Sequence, residues 1–123
     1  MAKNLSRTFG CPTEFALEVL GGKWKTVILS YLKERPLRYA ELRRLIPHLS
    51  DKVLTERLRD LIGSGLVVKK TADGKKKTGV YVLTLRGKSL RKPLTELYSW
   101  GKTHAGAYGV NVGERLKLLD KDI

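Results

Sequence analysis

The stretch from Ser50 to Leu85 constrains the fold more than any other part of the chain. It opens with "SDKVLTERLRDLIGSG" and passes without a spacer into "LVVKKTADGKKKTGVYVLTL". Ser50 is a good helix cap, and Asp51 favours the positive end of the helix dipole. At about 100° per residue, Leu54, Leu58, Leu61 and Ile62 share one face. Lys52, Glu56 and Arg59 lie opposite, with Thr55 at the flank. Gly63 and Gly65 end the helix. The two halves of the next segment are β-branched or aromatic and meet at Asp73-Gly74, a strong turn signal, so they predict a hairpin. A two-residue turn there sets Lys70 opposite Lys77. Facing like charges are unfavourable in a sheet; an anionic partner relieves them, or the exposed lysines splay into water.

The rest of the chain supplies helices to pack around this unit. "CPTEFALEVLGG" predicts a first helix with Pro12 at its start, Glu14 in its first turn and Gly21-Gly22 at its stop. Its apolar face is Phe15, Ala16, Val19 and Leu20. "KWKTVILSYLKERP" predicts a second, with Trp24, Val27, Ile28, Tyr31 and Leu32 as its core stripe. "LRYAELRRLIP" predicts a short third, with Leu42, Leu45 and Ile46 inward and Arg38, Arg43 and Arg44 outward. After the hairpin, Thr84 caps a predicted long helix, "LRGKSLRKPLTELYSWGKTHAGA". Its stripe is Leu90, Leu94, Leu97, Tyr98, Gly101 and Ala105, and Pro93 should kink it. That stripe exceeds what a small hairpin domain needs, so it has room for a partner helix. The fold class is mainly α with a small β-hairpin wing, a winged helix-turn-helix.

Charge narrows the partner. The chain has 123 residues and a formal net charge of +13. Residues 66–92 hold nine basic side chains and one acidic one. A cationic surface so concentrated points to a polyanion, most often nucleic acid. In this fold the 50–63 helix enters the major groove. Ser50, Lys52, Thr55, Glu56 and Arg59 are of the types that touch phosphates and base edges. Lys52 and Arg59 are the expected groove contacts, and Lys75, Lys76 and Lys77 the expected phosphate contacts. Arg38, Tyr39 and Arg43 act as positioners.

Other chemistries find little support. His48 and His104 are far apart and neither sits in a ligand-spaced cluster, so no metal site or cofactor is expected. No phosphate-binding glycine loop or nucleophile elbow occurs, and no enzymatic activity is expected. The apolar run "TVILSYL" is too short to span a bilayer, and the first residues carry no signal-peptide core, which predicts a cytoplasmic protein. Two rival readings remain: a non-specific architectural DNA-binding protein, and an RNA- or protein-interaction module on the same scaffold. Against RNA, the hairpin offers lysines rather than stacking aromatics; Tyr81, its only aromatic, is expected to face the core.

The segments "CPTEFALEVLGGKWKTVILSYL", "PLRYAELRRLIPHLSDKVLTERLRDLIGSGLV" and "YVLTLRGKSL" resemble the HxlR family of winged-helix transcriptional regulators. The resemblance runs roughly from Cys11 to Gly109. Cys-Pro followed by Gly-Gly-Lys-Trp at this spacing carries much of it. It implies one domain over 11–109, an N-terminal arm over 1–10 and a tail over 110–123. It implies a homodimer through the N- and C-terminal helices on near-palindromic operator DNA, with 50–63 as recognition helix and 72–78 as wing tip. The wing departs from the family, whose members usually carry proline there and Val-Glu-Tyr before Leu-Thr; here the text is "GKKKTGVYVLT". In several members a cysteine at the place of Cys11 senses oxidants or electrophiles. A thiol at a helix N-terminus has chemical reason to do so. The other reading of Cys11 is a small packing residue at the dimer interface.

Overall fold

The computed structural model describes residues 8–71 and 79–112. The element order is α1 (Pro12–Leu20), α2 (Lys25–Glu34), β1 (Leu37–Arg38), α3 (Tyr39–Leu45), α4 (Asp51–Gly63), β2 (Val67–Lys70), β3 (Val80–Leu83), α5 (Leu85–Lys88) and α6 (Arg91–His104). A 3₁₀ turn, Ala105–Tyr108, follows α6. The three strands form one antiparallel sheet in the order β1-β3-β2. This is the mainly helical, winged architecture expected, with one strand added. Leu37 and Arg38 pair with Tyr81 and Val80. Two residues are too few to show a strand's alternation, so sequence pattern merges them with the third helix.

α2 is the centre of the molecule. Ile28, Leu29, Tyr31 and Leu32 are all buried, and so is Ser30. The expected stripe included Ile28, Tyr31 and Leu32 but left out Leu29, because α2 is enclosed on more sides than a surface helix. Lys25 is also buried, and its ammonium donates to the Val19 carbonyl at the end of α1. Around α2 pack Leu42 and Ile46 from α3 and its end, Leu54, Leu58 and Leu61 from α4, Tyr81 and Leu83 from β3, and Leu94 from α6.

The hairpin register differs from expectation. Lys70 pairs with Val80 and Val67 with Leu83. A two-residue turn at Asp73-Gly74 would have set Lys70 opposite Lys77, so the turn text does not fix the register. Inward packing of Val67, Tyr81 and Leu83 does, since a slip of one residue would turn them outward. Asp73-Gly74 itself lies outside the described residues.

The long helix expected after Thr84 is two helices. Thr84 does cap the first: its hydroxyl accepts from Gly87 N–H at 3.0 Å and donates to the Gly65 carbonyl at 2.6 Å. The chain then turns at Ser89-Leu90 and restarts at Arg91. Pro93 therefore falls in the first turn of α6, where a missing N–H costs no helical hydrogen bond, and it does not have to kink the helix.

Gly87 is buried where α5 crosses the base of the sheet, and a Cβ there would overlap the Leu66 carbonyl oxygen. That oxygen already accepts from Thr84 N–H at 3.0 Å. Gly87→Ala is expected to destabilise the fold by about 1–3 kcal/mol. Urea unfolding checks this; an unchanged midpoint would contradict the close approach.

Candidate nucleic-acid interface

α4 is positioned from four sides. Leu54 and Leu61 are fully buried and Leu58 nearly so. Ser50 caps its start, accepting from Val53 N–H at 3.2 Å. Gly65, at φ 77°, ends it. There Leu66 N–H reaches the Leu61 carbonyl and Gly65 N–H the Ile62 carbonyl, both at 3.0 Å. This pair of bonds satisfies the helix end and turns the chain directly into β2. On the fourth side, Arg57 Nε donates to the Lys23 carbonyl at 2.8 Å. Lys23 lies between Gly22 and Trp24, both at positive φ. A left-handed tryptophan costs roughly 1–2 kcal/mol; packing of its ring against the core offsets this.

The outward side of α4 then carries Lys52, Thr55 and Arg59, all exposed, within about a 60° arc. Ser50 is exposed at the helix start, and Glu56 is half-buried at the edge of the arc, 3.9 Å from Arg57. Ile62, expected in the core, is 37% exposed. It borders a notch of about 200 Å³ between α4 and the sheet, lined by Thr55, Leu58, Arg59, Ile62 and Tyr81.

α3 holds the first turn of α4. The Tyr39 hydroxyl donates to Asp51 Oδ1 at 2.8 Å and lies 3.4 Å from Thr55 Oγ1. Burial, with the Asp51 carboxylate adding to it, pushes the Tyr39 phenol above its ordinary range, so at neutral pH it keeps its proton to donate. Arg43 Nε lies 2.9 Å from the same Asp51 oxygen, and Arg43 Nη1 donates to the Leu49 carbonyl. Arg38 is exposed on β1, and its backbone N–H donates to Glu41 at 2.9 Å. That bond, then Arg35, lowers the Glu41 carboxyl.

Lys75, Lys76 and Lys77 lie outside the described residues. The structure gathers Ser50, Lys52, Thr55, Glu56 and Arg59 on α4, with Tyr39 and Arg43 against its first turn, while Arg38 stands exposed on β1. Cys11 sits exposed at the N-cap of α1. The backbone N–H groups of Thr13, then Glu14, in the first turn of α1 hold its thiol below the ordinary range.

Three residues escaped the sequence reading. The sequence predicts capping and surface pairing for Asp51, but nothing in the pattern links it to Tyr39, twelve positions earlier. Arg57 carries no local sequence signal for its bond to the Lys23 carbonyl, 34 positions earlier. Lys69 shares a sheet face with Val67, yet its ammonium stands 5.6 Å from the Tyr81 ring centre, beside the notch. Strand alternation predicts its face, but not that it lies beyond the core's edge.

A buried three-helix unit that presents one helix outward, beside a short basic sheet, defines a winged helix-turn-helix protein of the kind that binds DNA. The chain belongs to the HxlR-like helix-turn-helix family, whose pattern matches residues 19–108. It is similar to the HTH-type transcriptional regulator YkvN of Bacillus subtilis, at 40% identity over 99 residues, 80% of this chain and 84% of that protein. Among solved structures it is similar to the redox regulator HypR in its reduced form, with a TM-score of 0.76 and 29% identity over 80% of this chain and 98% of that one. It is also similar to quinone-bound YodB from B. subtilis, with a TM-score of 0.64 and 31% identity over 76% of this chain and 99% of that one. The protein is a transcriptional regulator of this family. No helix among the described residues is long and apolar enough to cross a membrane.

Proposed function

We propose that the protein regulates transcription by binding near-palindromic operator DNA as a homodimer, with α4 in the major groove and the wing along the adjacent backbone. The observation that carries this reading is the arc of Lys52, Thr55 and Arg59, exposed on a helix anchored from four sides. Lys52 and Arg59 read base edges, with Ser50, Thr55 and Glu56 beside them. Lys75, Lys76 and Lys77 hold phosphates, and Lys69 is added to them. Arg38, Tyr39 and Arg43 act as positioners. Dimerisation is supported by apolar surface left uncovered on the first and last helices: Phe15 is 44% exposed, Leu17 59%, Leu97 54% and Trp100 55%. The steric consequence is occupation of a promoter or recruitment of polymerase, according to where the operator lies.

Cys11 gives this regulator a chemical input: oxidation or alkylation of its thiol alters operator affinity. Support comes from its exposure, its lowered pKa and the two similar proteins described as a redox regulator and as quinone-bound. A lowered pKa means that thiolate appears at lower pH in the folded chain than in the unfolded one. Iodoacetamide should therefore alkylate folded protein along a pH curve whose midpoint lies below the free-cysteine value of about 8.5, while urea-unfolded protein stays near that value. Diamide or methylglyoxal should shift operator binding in a gel assay. Matching midpoints and an unaltered band shift would remove Cys11 from the mechanism.

Base reading and backbone holding separate by mutation. Replacing Lys75, Lys76 and Lys77 by Ala should weaken binding to every sequence and flatten the salt slope by up to about 3 units. Arg59→Ala should cost about 1–3 kcal/mol on the operator and relax base choice. Equal losses on operator and random DNA for both variants would instead favour a non-specific architectural protein.

A further inference from the structure

Asp51 stands in the first turn of α4, next to Thr55, on the side that the operator-binding reading turns toward DNA. Its side chain is 73% exposed, yet a single oxygen, Oδ1, is shared by the Tyr39 hydroxyl at 2.8 Å and Arg43 Nε at 2.9 Å. Arg43 is held a second time, at Nη1, by the Leu49 carbonyl. A partly exposed guanidinium beside a recognition helix would ordinarily take a phosphate. Here its fork already has partners on two edges, both in the turn and helix that follow α3. A carboxylate so close to the DNA face also repels a polyanion, so the helix-dipole benefit of Asp51 comes with an opposing effect on binding.

We propose that Asp51 is a specificity-setting residue: by occupying Arg43 it withholds one cation from the DNA backbone, and with Tyr39 it fixes the first turn of α4. The inference rests on the operator-binding reading and deepens it. A phosphate contact strengthens binding to every sequence alike, whereas base contacts discriminate. Turning Arg43 into an intramolecular partner therefore lowers affinity for random DNA and leaves the Lys52–Thr55–Arg59 arc to decide between sequences.

A double-mutant cycle on the full chain tests this. Wild type, Asp51→Asn, Arg43→Ala and the double variant are titrated by fluorescence anisotropy over a salt series. The probes are a duplex enriched from random DNA by the wild type and a scrambled duplex of the same composition. Asp51→Asn should bind the scrambled duplex more tightly, discriminate less, and steepen the salt slope by about 0.9, which is roughly a 3.5-fold greater loss between 50 and 200 mM salt. Arg43→Ala alone should leave the slope unchanged, and the double variant should return to it. Asp51→Ser, a second charge-free variant with a good capping side chain, should reproduce Asp51→Asn, with circular dichroism melts confirming that each is folded. The proposal is overturned by an unchanged slope in folded Asp51→Asn, by equal steepening with and without Arg43, or by a flattened slope in Arg43→Ala alone. A wild type that enriches no sequence overturns the operator reading itself, and this inference with it.

Discussion

Leu54, Leu58 and Leu61 fix the direction in which α4 faces, and every proposed contact with DNA depends on that direction. Each buried leucine contributes about 1.5–3 kcal/mol. The Arg43–Asp51 pair, open to solvent on the Asp51 side, contributes about 0–1 kcal/mol to stability. Burial therefore sets the rotation of the helix, and the polar contacts at its ends trim its axial position. Arg57 on the Lys23 carbonyl and the glycine-terminated turn at Gly65 act at one side and one end. Tyr39, Arg43 and Asp51 act at the other end. The result is a narrow polar arc on a helix with little freedom to roll, which suits the recognition of base edges.

The same core explains why α1 and α6 are left half-covered. α2 takes its packing partners from α3, α4, the sheet and Leu94, and these close the core without Phe15, Leu17, Leu97 or Trp100. Trp100 stacks instead on His104, with ring centres 4.6 Å apart, and Phe9 meets Phe15 edge-on at 5.5 Å. The surfaces proposed to face DNA and a partner chain are thus carried by different elements. Cys11 lies at the start of α1, on the side proposed to face a partner. Chemistry at its thiol would reach α4 through packing at the proposed dimer interface rather than through contact with DNA.

Much of this was legible in the sequence because strong local signals agreed with the tertiary fold. Ser50, the leucine spacing of α4, Gly65 and Thr84 each act locally, and each does in the structure what its type implies. The misses share one cause: they depend on contacts between distant parts of the chain. Leu37 and Arg38 become a strand only because β3 lies beside them. The hairpin register follows inward packing of Tyr81 and Leu83 rather than the Asp-Gly text. The helix break before Arg91 follows the crossing of Gly87 over Leu66, which no periodicity encodes. In the site, the arc on α4 was readable from its period. The Tyr39–Asp51–Arg43 cluster was not, since the three are joined only by the turn between α3 and α4.

An operator-binding regulator selects a sequence rather than merely a polyanion. Selection of bound duplexes from a random pool by the full chain, at one fixed salt concentration near physiological, measures this directly. The expected result is enrichment of a near-palindromic site whose half-sites lie about one helical turn apart, bound at least about 10³-fold more tightly than random DNA. A pool that stays random after repeated rounds, with equal affinity for all duplexes, would contradict the account.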